Sequence, residues 1–264
     1  SFSAFTFQPS ELTKLAMILF LSYSLSKRKD SLKYFFKGLV PYLILIAIHA
    51  FLFLLQPHLS VMIVVGLVSC ILLFCAGAKI KHFMLMGLPS IAAGMALILT
   101  SSYRMKRLTA FLDPWEDPLD TGFQAIQSLY AIGSGGLFGR GLGNSLQKFL
   151  YIPEPYNDFI LAVLAEELGF IGVITVLLLF LIFIWRGIKV AMNAPDAFGT
   201  LTAVGITSLV AVQVVINVAV VTSSMPVTGM PLPFFSYGGS SLIFLMGSIG
   251  ILLNISKHAK YERI

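Results

Sequence analysis

The chain has 264 residues, 57% apolar and only 11% charged, with a mean hydropathy of +0.90. Soluble domains carry about 25% charged residues, so this composition excludes a soluble enzyme and a disordered protein and leaves a polytopic membrane protein. The net charge of +6 reads as membrane topology, as shown below, and calls for no nucleic acid partner.

Leu12 to Ser26 is apolar apart from Lys14 and predicts a helix over 10–26. Gly38 to Ala78 is 41 residues without Asp, Glu, Lys or Arg, about twice the roughly 20 residues of one span. Gln56-Pro57-His58 divides it, because proline lacks an amide donor and breaks helices. Helices over 39–55 and 60–77 follow, and the uncharged run His82–Tyr103 predicts another over 83–101. A long polar segment covers 102–157. Beyond it, Leu168–Trp185 predicts a helix over 158–186. Ala197–Ser256 is 60 residues without a formal charge, broken by Met225-Pro226 and Pro231-Leu232-Pro233, and predicts helices over 198–222 and 234–255. No β-barrel alternation appears, and helices satisfy their own backbone bonds in lipid. The expected fold is an all-α polytopic membrane protein. It has seven spans in one membrane domain over 1–264, and 102–157 is a large extracytoplasmic loop.

Basic residues in the loops set the orientation. Lys27, Arg28, Lys29, Lys33 and Lys37 share one side with Lys79, Lys81, Arg186, Lys189, Lys257, Lys260 and Arg263, twelve of the eighteen. The other side holds Arg104, Lys106, Arg107, Arg140 and Lys148. This split puts the C-terminus in the cytoplasm and 102–157 outside. Seven spans then leave Ser1 outside, which predicts an odd number of helices upstream. Cys70 and Cys75 lie in one apolar run and form neither a zinc motif nor a disulfide framework. The four histidines are scattered, so no metal cluster is expected.

Charged groups at membrane depth are costly and mark functional sites. Lys14, with Glu11 three residues earlier, sits at the outer end of the first helix; Asp158, Glu166 and Glu167 sit at the outer end of the fifth. A helix over 158–186 is about 44 Å long against a hydrocarbon core of about 30 Å, so its first turns stand above the lipid. Lys14 and Asp158 then share one depth on one side. The alternative for Asp158 is a helix N-cap; for Glu166 and Glu167 it is an interfacial charge pair, with Lys14 as a partner.

Within 102–157, Arg104, Lys106 and Arg107 either hold an anionic head group or flank a helix end. The glycine-rich run Gly133–Gly143 contains Arg140. It either lets backbone amides approach a phosphate or is a flexible re-entrant turn. It lacks the strand-then-helix context of a nucleotide fingerprint. Trp115 is an interfacial anchor or a sugar-stacking surface. Phe234 to Ser241 opens the last helix with small residues, which either pack helices closely or line an outer polar cavity.

Longer motifs resemble the SEDS family (shape, elongation, division and sporulation). They are Phe7-Gln-Pro-Ser-Glu11 with Lys14, Arg107-Leu-Thr-Ala-Phe-Leu-Asp-Pro-Trp-Glu-Asp-Pro118, and Gly122-Phe-Gln124 with Gln127-Ser128. Gly141-Leu-Gly-Asn-Ser145 with Gln147-Lys148, Pro153-Glu154 to Asp158-Phe-Ile160, Glu166-Glu167-Leu-Gly169 and Leu232-Pro-Phe-Phe-Ser-Tyr-Gly-Gly-Ser-Ser241 continue the match. The division and sporulation branches are more similar than the elongation branch. Family members have ten helices, so the seven here begin at the family's fourth. Two departures stand out. The family usually reads Gln-Pro-Asp-Leu-Gly-Thr where this chain has Gln56-Pro-His58-Leu-Ser60-Val61, and Thr-Asp-Phe-Ile-Phe where it has Asn157-Asp-Phe-Ile-Leu161.

The resemblance implies a peptidoglycan glycosyltransferase that joins lipid II units at the outer face of the cytoplasmic membrane, releasing undecaprenyl pyrophosphate. It implies a class B penicillin-binding protein as partner. The site it implies is Asp158 as general base, with Lys14 orienting it. Arg104, Lys106, Arg107, Arg140 and Lys148 are candidates for the pyrophosphate, and Glu11, Glu154, Glu166, Ser236 and Tyr237 complete the substrate site. No cofactor is expected, and a divalent cation stays open. The rival readings are a lipid II flippase and a scaffold that only recruits the transpeptidase.

Overall fold

The computed structural model describes residues 8–28, 32, 34–56, 59–146 and 156–259. Among the described residues the chain is helical, without strands. The helices are α1 (Pro9–Lys27), α2 (Val40–Leu55, entered through a π-helical turn at Phe35–Leu39), α3 (Leu59–Cys75), α4 (Ile80–Leu99), α5 (Ser102–Leu112), α6 (Phe123–Gly135), α7 (Ile160–Met192), α8 (Ala197–Val221) and α9 (Gly239–His258). All seven predicted helices are present. Pro9 and Pro41 sit in the first turns of α1 and α2, where a fixed φ and a missing amide cost nothing.

Two expectations are corrected. The segment 102–157, read as a polar loop, contains α5 and α6. Charge-free length detects only spans, and α5 is a short amphipathic helix carrying Arg104, Lys106 and Arg107. The helix expected over 158–186 starts at Ile160, ends at Met192 and is interrupted by non-helical Gly169 (φ 67°, ψ −169°). The stretch after the break, 170–192, is about 35 Å long and suffices for the hydrocarbon core.

Contacts divide the chain into two compact units. The first gathers the described residues of 1–84, 181–212 and 238–264; the second gathers 85–180 and 213–237. In the first, Ile18, Leu21 and Leu25 of α1 and Val64, Val68 and Leu72 of α3 are buried. Gly205 of α8 makes that packing tight: a Cβ there would stand 2.6 Å from Ile18 and 3.4 Å from Leu72. Small residues let helix backbones approach in this way. In the second unit α6 buries Ala125, Ile126, Ser128 and Ala131, and the Ser128 hydroxyl donates to the Val221 carbonyl at 2.8 Å.

By length and composition four described segments can cross a membrane: Phe35–Leu55, Ile160–Met192, Ala197–Val221 and Gly239–His258. Of the most apolar stretch of α8, 61% is buried, against 17% for α7 and α9.

Candidate active site

Asp158 lies in the second unit, in a turn over 156–158 that precedes α7. The Phe159 carbonyl accepts from the amides of Ala162 and Val163, so Phe159 holds the N-cap position. Asp158 stands one residue upstream of the cap expected for it.

Three devices hold this turn. The Asn217 side chain on α8, fully buried, donates to the Asp158 carbonyl at 2.9 Å and to the Met230 carbonyl at 2.7 Å. The Ser236 hydroxyl donates to the Asn157 carbonyl and accepts from the Leu232 amide. The Tyr237 amide donates to the Tyr156 carbonyl at 2.8 Å. Beside the turn, Gly229 has φ +66°, and a Cβ there would lie 3.2 Å from the Asp158 Oδ2. The carboxylate is therefore seated over a bare backbone. Phe180 of α7 packs against Phe234 and Phe235, at ring separations of 6.4 and 6.0 Å, and so anchors 232–237 in the same unit.

A second cluster explains the glycine-rich run. Glu166 is fully buried. Its Oε1 accepts from the Arg140 guanidinium at 3.2 Å and the Leu146 amide at 3.1 Å, and its Oε2 accepts from the Ser145 hydroxyl at 2.6 Å. The amides of Arg140 and Gly141 donate to the carbonyls of Glu166 and Glu167, and Phe170 donates back to Gly136. This contact requires glycine. A Cβ at Gly135 would stand 1.9 Å from the Ala165 carbonyl oxygen, one at Gly139 2.2 Å from that of Glu167, and one at Gly169 2.3 Å from the Gly139 nitrogen. The run is thus a fitted backbone strap on the first turns of α7, and the break at Gly169 is where the strap passes.

Gly139→Ala tests this. Its φ of +77° adds about 1–2 kcal/mol to an overpacking cost of about 1–3 kcal/mol. We expect a fall of several degrees in a thermal melt in detergent. Gly133→Ala, with nothing within 4 Å of the new Cβ and a helical backbone, should hold or slightly raise the melt. Equal melts for both variants would remove the strap.

The cations of α5 are divided. Arg104 donates to the Leu97 carbonyl at 2.9 Å and so closes the end of α4. Arg107 donates to the Val227 carbonyl at 2.8 Å and lies over the Tyr103 ring. Lys106 is exposed. A guanidinium has five donors, and each of these contacts uses one. Trp115 stacks edge-on against Tyr130 of α6 and remains 57% exposed, as an interfacial anchor requires.

In the first unit, Lys14 is 4% exposed and pairs with Glu11 at 2.7 Å. Glu11 is thus the partner of Lys14, and Arg140 that of Glu166. The Tyr237 side chain is 83% exposed. Lys148, Glu154 and His58 lie outside the described residues. Among the described residues no three His, Cys, Asp or Glu side chains gather as a metal site.

The sequence reading passed over Asn217 and Gly229. Asn217 had a signal: with Gln213 it is an amide within a long uncharged run, and strongly polar groups in spans are functional or structural by default. Gly229 had none, because its partner is 71 positions away in sequence.

These observations define a multi-pass, all-helical membrane protein whose conspicuous polar groups lie on the first turns of its spans, within α8 and on the segments between them. The chain belongs to the FtsW/RodA/SpoVE family, described as cell cycle protein, whose model matches residues 1–261. It is 51% identical over 258 residues to stage V sporulation protein E of Bacillus subtilis (strain 168), covering 98% of this chain and 70% of that protein. It is 48% identical over 252 residues to a probable peptidoglycan glycosyltransferase FtsW of Geobacter sp. (strain M18), covering 96% and 69%. Among solved structures it resembles a chain from a peptidoglycan synthase complex, whose study concerns the coordination of polymerization and crosslinking. There the TM-score is 0.78 at 33% identity, over 97% of this chain and 72% of that one. It also resembles the rod shape determining protein RodA of Thermus thermophilus, with a TM-score of 0.64 at 30% identity over 97% and 67%. The fold is therefore the RodA-like fold of a multi-pass protein of the cytoplasmic membrane.

Proposed function

We propose that this protein polymerises glycan strands from lipid II, with Asp158 as general base. The single observation that carries the reading is the Asp158 turn. Its backbone is held by a buried Asn217 side chain, and its carboxylate is seated over Gly229. Such support fixes a reacting group in place. Asp158 takes the proton from the 4-hydroxyl of the acceptor sugar as that oxygen attacks the anomeric carbon of the donor. The bond from that carbon to the pyrophosphate breaks, and undecaprenyl pyrophosphate leaves with its electron pair. In-line attack inverts the anomeric centre. The leaving group needs charge stabilisation more than protonation, and Lys106, Arg104, Arg107, Arg140 and Lys148 are the cations proposed for it. Lys14 with Glu11, and Glu154, Glu166, Ser236 and Tyr237, support the substrate site.

The relatives' names supply the activity, and the identity over nearly the whole chain supports its transfer. A class B penicillin-binding protein is the proposed partner, in keeping with the synthase complex among the structural relatives. The proposed orientation has 102–157 outside, as one extracytoplasmic segment of a single membrane domain, and the C-terminus inside.

The deciding assay is purified full-length protein with labelled lipid II. Glycan chains are expected; lipid protected from an external enzyme would mean a flippase, and neither product would mean a scaffold. Orientation is read separately, in a background lacking Cys70 and Cys75. A cysteine at Asp120 should react with an impermeant thiol reagent on intact cells, and one at Lys33 should not. The reverse pattern would overturn the topology.

A further inference from the structure

We propose that the cleft between α1 and α2 in the first unit binds the head group of an anionic phospholipid, through Lys27 and Arg28. The cleft measures about 490 Å³ and opens at the C-terminal end of α1. Lys27 and Arg28 supply two positive charges at its edge. Its polar floor is a hydroxyl pair: Tyr42, only 5% exposed, and Ser24 are hydrogen bonded at 2.9 Å. Two hydroxyls joined to each other use one hydrogen, so the second can be donated to a phosphate oxygen. The remaining wall is apolar, with Phe20 52% exposed and Leu45 and Pro41 alongside. Tyr23, 59% exposed and under the Lys27 ammonium at 5.9 Å, has the amphipathic ring found at the head-group level.

Cations at a helix C-terminus need no ligand, since they complement the macrodipole. That role does not account for a cleft with a hydroxyl floor and an apolar wall, whereas a phosphodiester carrying acyl chains matches all three surfaces. Charge complementarity selects an anionic over a zwitterionic lipid. Lys29, Lys33 and Lys37 follow Lys27 and Arg28 in sequence, and juxtamembrane basic clusters of this kind attract anionic lipid. No residue of the cleft belongs to the Asp158 turn or to the proposed substrate site.

The test is native mass spectrometry of the full-length protein released from a mild detergent with added phosphatidylglycerol or phosphatidylcholine. Wild type should retain phosphatidylglycerol in preference. The Lys27→Gln, Arg28→Gln double variant should lose affinity by about thirtyfold, at about 1 kcal/mol for each basic residue near an anionic surface. Tyr42→Phe, which keeps the ring and both cations, should weaken retention several-fold and lower the melt by no more than the loss of the one hydrogen bond to Ser24. Lys79→Gln with Lys81→Gln removes the same charge outside the cleft and should change little. Unaltered retention in the Lys27, Arg28 variant overturns the site. So does an equal loss in the Lys79, Lys81 variant, which would mean general surface charge. Displacement of the bound lipid by equimolar undecaprenyl phosphate would assign the cleft to the lipid carrier instead.

Discussion

Asp158→Asn should lower glycan polymerisation by roughly 10²- to 10⁴-fold, the range that a positioned general base contributes, with expression and partner binding near wild type. The substitution is nearly isosteric. It leaves the backbone carbonyl that accepts from Asn217 and the Phe159 carbonyl that opens α7, so the turn keeps its supports. The supports of the turn act on backbone atoms that asparagine retains, and a purely structural role therefore predicts an active variant. The assay is polymer length and rate on labelled lipid II, with a thermal melt as the folding control. Near wild-type polymerisation would dismiss Asp158 as the base and turn attention to Glu154. A melt lowered by several degrees would instead show that the carboxylate holds the turn.

Glu166→Ala should produce the largest loss of stability. Hydrogen bonds to a charged group contribute about 1.5–3 kcal/mol each, and Glu166 accepts from the Arg140 guanidinium, the Ser145 hydroxyl and the Leu146 amide. Removing the carboxylate takes an acceptor from the buried Ser145 hydroxyl and from the amide of the more exposed Leu146. Arg140 is 39% exposed, so solvent screens its share. A cost of about 3 kcal/mol or more is expected, read as a lowered melt and as faster proteolysis of the glycine-rich strap. Glu166→Gln, whose one carbonyl oxygen can still accept from the Leu146 amide while its NH2 can donate to the Ser145 hydroxyl oxygen, should recover part of it. If instead Glu166→Gln melts like wild type yet fails to polymerise, Glu166 acts on substrate rather than on the strap. Arg140→Ala belongs to the same series. An effect on the melt that matches its effect on lipid II use would place Arg140 in the strap and outside the pyrophosphate site.

Much of the fold was legible because lipid imposes a one-dimensional rule. A span must be long, apolar and nearly free of charge, and each predicted span contains a helix. The rule is silent where helices do not need to cross. Thus α5 and α6, one amphipathic and one rich in small residues, were hidden in a stretch that reads as polar loop. It is silent also about Gly169, since a glycine in an apolar run looks like a packing residue until the strap is seen against it.

Composition, charge placement and the order of motifs determined by themselves that this is a many-span membrane protein, where its spans lie, and which carboxylates and cations are conspicuous. Those properties depend on local hydropathy and on neighbours in sequence. Only the tertiary structure decided what each polar group touches. It gave Glu166 to Arg140, and a seat over Gly229 to Asp158. In apolar surroundings a buried charge or amide must find a partner. Which partner it finds is set by backbones brought together from distant parts of the chain, as Asn217 of α8 is brought to the turn before α7.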